Sequence, residues 1–288
     1  MSKRNLLNLF LFVFTLALVA VVLIEPGKKE ATTPPTLTTL NAADIHSIEI
    51  QRPDMATGAP NQNIEFKKTT QGWQLVKPFS VSANLFRVES ILKLLSAPSL
   101  STNNLATLDT SKFGLDQPLV TVTFNDTKIE FGHNKSLKNH RYVKVGSTLH
   151  MIADTFFYQV NAKAESYIDH KLLPQNARIT KLQLPTIKLE QTEGKWVVTP
   201  KAENLSADSI TQLINEWQLS QAYDVNIKKP QSHSKEDITI TLANNQALRF
   251  RIVGSTENFV LVNIDTGISY VLSKDRQDKL LKLNELNP

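Results

Sequence analysis

The chain opens with an apolar block. From Leu6 to Ile24 every position is hydrophobic except Asn8 and Thr15, and a helix of that length at 1.5 Å per residue covers about 30 Å, the thickness of a bilayer's hydrocarbon core. A cleaved signal peptide would have a shorter apolar region, about 7 to 15 residues, ending in a small-x-small site. Here the block runs on into Val21-Val-Leu-Ile-Glu-Pro26, and the alanine-ended site at Ala20 has Leu18 three positions from its cut. The pattern therefore predicts an uncleaved transmembrane anchor over residues 1–24. Lys3, Arg4 and the terminal amine precede it and Lys28 and Lys29 follow it, a slight bias that favours a cytoplasmic N-terminus. Residues 25–44, rich in proline and threonine, carry no periodic face and read as a linker.

From Ile45 the period changes to two. Ile48 and Ile50, Ile64 and Phe66, and Trp73 and Leu75 alternate with polar residues, and Pro78 stops the last run, as in short strands joined by turns. Asn84 then opens a helix whose stripe is Leu85, Val88, Ile91, Leu92 and Leu95, ended by Pro98. Val120 to Phe124, Ile129 to Phe131, Tyr142 to Val145 and Leu149 to Ile152 read as a four-stranded meander. Asp154 is placed to cap a second helix that presents Phe157, Val160, Ala164, Tyr167 and Ile168 on one face.

The order then repeats. Ile179 to Leu184 replays Ile45 to Ile50, and Ile187 to Pro200, with Trp196 inside it, replays Ile64 to Pro78 with Trp73. Ser206-Ala-Asp208 matches the helix start Ser82-Ala-Asn84, followed by an Ile210, Leu213, Ile214 and Trp217 stripe. Ile238 to Leu242 matches Val120 to Phe124, and Tyr270 to Leu272 matches His150 to Ile152. The expected fold class is α+β: an N-terminal transmembrane helix, then two tandem repeats over 45–174 and 175–288. Each is mostly antiparallel sheet with one or two helices, because the strand links are too short for parallel crossovers.

Composition narrows the function. The 32 Lys and Arg against 27 Asp and Glu give a net charge of +5 over 288 residues, with no basic run, so a nucleic-acid partner is not expected. The absence of cysteine removes disulfides, thiolate metal sites and cysteine nucleophiles. No phosphate loop, dinucleotide fingerprint, nucleophile elbow or zincin helix occurs. Ser90 to Lys93 and Ser232 to Lys235 have the spacing of serine acyl enzymes, which chance alone produces in a chain this long. His133 and His140 lie close in sequence, but lysines and no acid separate them, which disfavours a cation. Trp73 and Trp196, each ahead of a proline-ended strand, read as core. Asp116, Asp126, Glu130 and Asp154 are the acids of the first repeat, and their spacing pairs no two of them.

Several of these positions together resemble a bacterial family, domain of unknown function 4340. The resemblance is carried by Trp73 and Pro78, Ser82-Ala-Asn84, Phe113-Gly-Leu-Asp-Gln-Pro118, Phe131-Gly132, Arg141-Tyr-Val-Lys144 and Ile168-Asp-His-Lys-Leu-Leu173. The second repeat keeps Trp196 and Pro200 but has no Gly-Leu-x-x-Pro. Within the hexad, Gly114 reads as a left-handed turn position, Leu115 as a plug into the core and Pro118 as the lead into an edge strand, while Gly132 and Tyr142 complete the signature. The resemblance implies a membrane-anchored envelope protein, in some members linked to auxiliary subunits of ABC-type exporters, with no established catalytic residue, cofactor or metal.

The expectation is a single-pass protein of the bacterial cytoplasmic membrane, its bulk extracytoplasmic. It acts without catalysis as a binding or accessory component of an envelope ABC-type transport or assembly complex. Its partners are then the membrane and other envelope proteins, among them transporter subunits. The loops at 100–111 and 226–237, equivalent in the two repeats, are the expected partner surfaces. Two alternatives are a cell-wall or glycan-processing enzyme with its site between the repeats, and a purely structural scaffold.

Overall fold

A computed structural model describes residues 3–24, 34–53, 63–135, 139–201, 206–227, 237–253 and 256–283. The chain separates into two compact units, Met1–Pro35 and Thr36–Pro288. The first contains α1 (Lys3–Ile24), whose window Lys3–Ala20 has a mean hydropathy of 1.5 and no buried residue. Within it Thr15 turns its hydroxyl back onto the Leu11 carbonyl at 2.8 Å, which satisfies a polar group that an apolar surrounding would otherwise penalise. This is one helix long and apolar enough to cross a membrane.

The second unit holds two antiparallel sheets. Strands β1 (Ser47–Gln51), β2 (Ile64–Thr69), β3 (Gly72–Lys77), β4 (Val81–Ser82), β5 (Ser101–Asn104), β6 (Val120–Phe124), β7 (Thr127–Lys135), β8 (His140–Val145) and β9 (Thr148–Ala153) form the first, in the order β4-β3-β2-β1-β6-β7-β8-β9-β5. Strands β10 (Ile179–Gln183), β11 (Lys188–Thr192), β12 (Lys195–Thr199), β13 (Asp224–Asn226), β14 (Asp237–Leu242), β15 (Ala247–Val253), β16 (Asn258–Asn263) and β17 (Ser269–Ser273) form the second, in the order β12-β11-β10-β14-β15-β16-β17-β13. Removing β4 makes the two orders identical. Helices α2 (Leu85–Leu92) and α4 (Ala207–Leu219) follow the third or fourth strand of each repeat, and α3 (Thr155–Val160) and α5 (Arg276–Leu281) follow the last. The Lys77–Pro78 and Thr199–Pro200 peptide bonds are both cis, at matching places.

Alternation explains the sheets. In β6 the pattern is buried at Val120, Val122 and Phe124 and half-buried at the threonines between them, and in β14 Ile238, Ile240 and Leu242 are buried likewise. One face of each sheet is thus apolar and must be covered. The helices cover it: the Phe157 ring of α3 lies 6.0 Å from Phe131, and Trp217 of α4 lies 6.1 Å from Phe250 while its indole donates to the Leu280 carbonyl of α5 at 2.9 Å.

Several expectations need correction. The packed unit begins at Thr36 rather than after residue 44. Leu37 is buried, its N–H donates to the Ala97 carbonyl, Thr38 bonds the Leu95 carbonyl, and Asn41 caps a 3-10 turn over Ala42–Asp44; a single leucine in a threonine-rich run gives no period to detect. Residues 25–33 lie outside the described residues. Leu85, expected on the helix stripe, is 51% exposed, because α2 is only two turns and continues inward through Leu94 and Leu95 on a 3-10 turn. The expected helix through Ile168 breaks after Val160 and resumes as a 3-10 turn over Ala164–Tyr167. Pro118 precedes an interior strand, since β6 pairs with both β1 and β7. Trp73 is buried but Trp196 is only partly so.

Asp154 provides the largest correction. Its carboxylate makes no cap bond but turns inward onto Arg141, accepting from Nε at 2.5 Å, with both side chains buried. Arg141 Nη1 donates to the Gly132 carbonyl at 2.7 Å, and its guanidinium stacks 3.6 Å above the Phe157 ring. The reason lies in β7, whose register to β8 slips between Phe131 and Asn134. That bulge frees a carbonyl from the ladder, and Arg141 supplies the missing donor. Gly132 is obligatory there, because a Cβ would run into the Phe113 carbonyl. Gly114 ends the 3-10 turn over Thr110–Phe113 at φ +65°, Leu115 is buried, and Phe113 meets Tyr142 edge-on at 4.9 Å. Phe113, Gly114, Leu115, Gly132, Arg141 and Tyr142 thus form one structural knot around a bulge.

Removing one partner of a buried ion pair strands the other, at a cost of about 3–5 kcal/mol. Arg141→Met should lower the free energy of unfolding by that amount, and Arg141→Met with Asp154→Leu by clearly less than the two single changes summed, as a double-mutant cycle in urea would measure. Strict additivity would show that the pair does not act as a unit.

Candidate functional site between the repeats

Residues Ile168 to Leu173 join the repeats and are bonded to both. Ile168 bridges Ala83 and Asp169 N–H donates to the Ser82 carbonyl on the first repeat. Ala222 N–H donates to the His170 carbonyl, and Leu172 N–H to that of Ser220, on the second. Leu172 and Leu173 are buried. A connection with its backbone engaged on both sides and two leucines in the core fixes the angle between the repeats instead of hinging them.

Beside this clasp lies a cavity of about 510 Å³, within the usual range for small-ligand sites. Three turns wall it. The β2–β3 hairpin brings Thr70, Gln71 and Gly72, with Gln74 and Ser82 behind; the segment after the clasp brings Pro174 to Arg178; the β14–β15 hairpin brings Ala243, Asn244 and Gln246. Six side-chain amides and one guanidinium line it, with no carboxylate. Asn244 accepts from the Gln246 N–H at 3.0 Å and so shapes its own turn. A smaller cavity of about 170 Å³ adjoins it, sharing Gln71, Gln74, Ser82, Pro174 and Gln246 and adding Asp169, Lys171 and Tyr270.

Among the described residues, Asp169 is the one carboxylate of the combined cleft. Burial pushes its pKa above the ordinary carboxylate value, and this outweighs the backbone N–H of Lys171, which donates to Oδ1 at 3.2 Å. Burial, with the Asp169 charge added, pushes the Tyr270 phenol up to about 12. Among the described residues, two carboxylates with opposed environments, which glycoside hydrolysis uses, are not brought together here. Among the described residues no three His, Asp or Glu side chains gather as a metal site would need.

The structure spreads the sequence-predicted residues differently. Phe113, Gly114, Leu115, Gly132 and Tyr142 converge on the bulge, Trp73 and Pro78 lie at β3, and Trp196 and Pro200 lie at β12; none of them lines the cleft. The 100–111 segment is not a loop but the edge strand β5 followed by two 3-10 turns, with β13 its counterpart beyond β17. Residues 228–236 of the other predicted surface lie outside the described residues. Asp126, Asp116 and Glu130 lie apart from the cleft, and Glu130 pairs with Lys144 at 2.7 Å. The cleft residues escaped notice because they come from three separate turns, Thr70-Gln-Gly, Pro174-Gln-Asn and Asn244-Asn-Gln; their shared amide content is the signal that could have found them.

The raised pKa of Asp169 has a defined sign. A carboxyl whose folded-state pKa lies above its ordinary 3.8 binds its proton more tightly when folded, so its contribution is most favourable in acid and is lost as pH rises through the folded-state value. Asp169→Asn should therefore raise the melting temperature at neutral pH, and the gain should shrink toward about pH 4. Thermal scans across that range check it; a gain that grows in acid would contradict the buried-carboxyl assignment.

No curated protein and no solved structure matches the chain. The profile of a family described as Domain of unknown function (DUF4340) matches residues 73–259, from β3 of the first repeat to β16 of the second. The matched region therefore includes the clasp and most of the cleft wall instead of a single repeat. With that profile covering more than half of its length, the chain belongs to the DUF4340 family.

Proposed function

We propose that this protein is a membrane-anchored binding module that works without catalysis as an accessory component of an envelope ABC-type transport or assembly complex. In this reading α1 spans the bacterial cytoplasmic membrane with its N-terminus inside, and the repeats act outside. The observation that carries it is the cleft: a cavity walled by neutral amides, with a lone carboxylate at its inner end, presents hydrogen bonds without an acid–base pair. The apolar helix and the family resemblance support the location and the kind of partner. One observation favours a second reading, a glycan-processing enzyme, since Asp169 with its raised pKa is a candidate proton donor beside Tyr270.

The chain has no cysteine, so a single introduced thiol reports its own side of the membrane. Leu219→Cys, at a position 77% exposed, should react with an impermeant maleimide on spheroplasts, and Ser2→Cys only after detergent; the reverse pattern would overturn the orientation, and loss of the Ser2→Cys site from the mature protein would show a cleaved leader. In-cell crosslinking of the tagged full-length protein, followed by mass spectrometry, should recover ABC-type permease or auxiliary subunits. Recovery of no protein partner, with turnover of a glycan that Asp169→Asn abolishes, would favour the enzyme instead.

A further inference from the structure

Five of the six amides of the cleft are unoccupied by the fold. Among the described residues, none bonds the side-chain amides of Gln71, Gln74, Gln175, Asn176 or Gln246, and the guanidinium of Arg178 is likewise without a side-chain partner. Four of the five amides are exposed, and Gln74 is half-buried at the floor. Each primary amide offers two donors and an acceptor that takes two bonds. A wall of such groups matches a ligand whose own groups both donate and accept, and hydroxyls do so at every position. Charge argues the same way: Arg178, with Lys171 and the single carboxylate of Asp169 in the adjoining cavity, gives too few cations for a polyphosphate, which needs several, and too few acids for a basic peptide. Peptides also anchor through side chains seated in apolar pockets or by adding to an open strand edge. This cleft offers neither, since its walls are turns and its apolar lining is short, from Pro174, Ala177, Leu242 and Ala243.

We infer that the cleft between the repeats binds a neutral, hydroxyl-rich chain, the chemistry of a carbohydrate, across the Gln71–Gln74 hairpin of one repeat and the Asn244–Gln246 hairpin of the other. The inference rests on the reading of the protein as a binding module and adds what it binds. Because the clasp holds both hairpins at a fixed separation, the site is formed before its ligand arrives, and little ordering opposes binding.

The test uses full-length protein in detergent micelles on a printed array of neutral and acidic oligosaccharides with matched random peptides. Retention of neutral oligosaccharides is expected, confirmed by titration calorimetry with the best binder. Gln74→Ala with Gln246→Ala should weaken that binding roughly tenfold, as expected for two lost neutral hydrogen bonds, with an unchanged melting temperature. Arg178→Gln should leave a neutral ligand's affinity within about twofold, an exposed charge having little to offer it. No retained oligosaccharide, binding unmoved by the double variant, or retention of peptides alone would each overturn the inference. Failure here with transporter subunits still crosslinked leaves the accessory reading standing, and glycan binding without crosslinked subunits does the converse.

Discussion

A carbonyl without a ladder partner sets the terms for the first repeat. Where β7 slips against β8, the Gly132 oxygen leaves the sheet, and only a long donor reaching from beneath can satisfy it. Arg141 does this, and its charge then requires Asp154, which is drawn away from the helix end it would otherwise cap. The Phe157 ring under the guanidinium is its third partner. On the outer side the bulge leaves a space the width of a glycine, into which the Phe113–Leu115 turn settles. Each residue of the knot answers a need created by another.

The second repeat shows the alternative. Among the described residues its β15–β16 ladder runs in one register from Phe250 to Val253, and at the place of Arg141, opposite Leu272 as Arg141 is opposite Ile152, stands Phe259. There a buried aromatic fills the volume with no charge to desolvate. The Asp154 counterpart, Asp275, stays at the surface with Ser273 and Lys279. The Phe-Gly-Leu-Asp-Gln-Pro hexad, which the second repeat lacks, fits against the bulge of the first.

Much of the architecture was readable from residue order. The two-residue alternation marks β6 and β14, Asn84 caps α2 as expected while α4 is capped by Ser206, two residues before the Asp208 aligned with Asn84, and the repeated order of elements anticipates two repeats of like topology. What stayed hidden shares one physical cause, dependence on groups distant in sequence. Strand β5 is Ser-Thr-Asn-Asn with every side chain exposed, so backbone bonds to β9 alone define it and no hydrophobic pattern betrays it. Asp154 looks like a cap until the freed carbonyl is known. The cleft is assembled from turns about 100 and 70 residues apart, and hairpin tips carry no period that could link them.

Those tips give the molecule a property beyond recognition. Since opposite walls of one cavity belong to different sheets, the cavity exists only while both sheets are intact and the clasp between them holds. Anything seated there ties the unfolding of one repeat to that of the other, converting two neighbouring folding units into a single cooperative one. A duplicated protein thereby gains a use for its second copy: occupancy becomes a measure of whether the pair is whole.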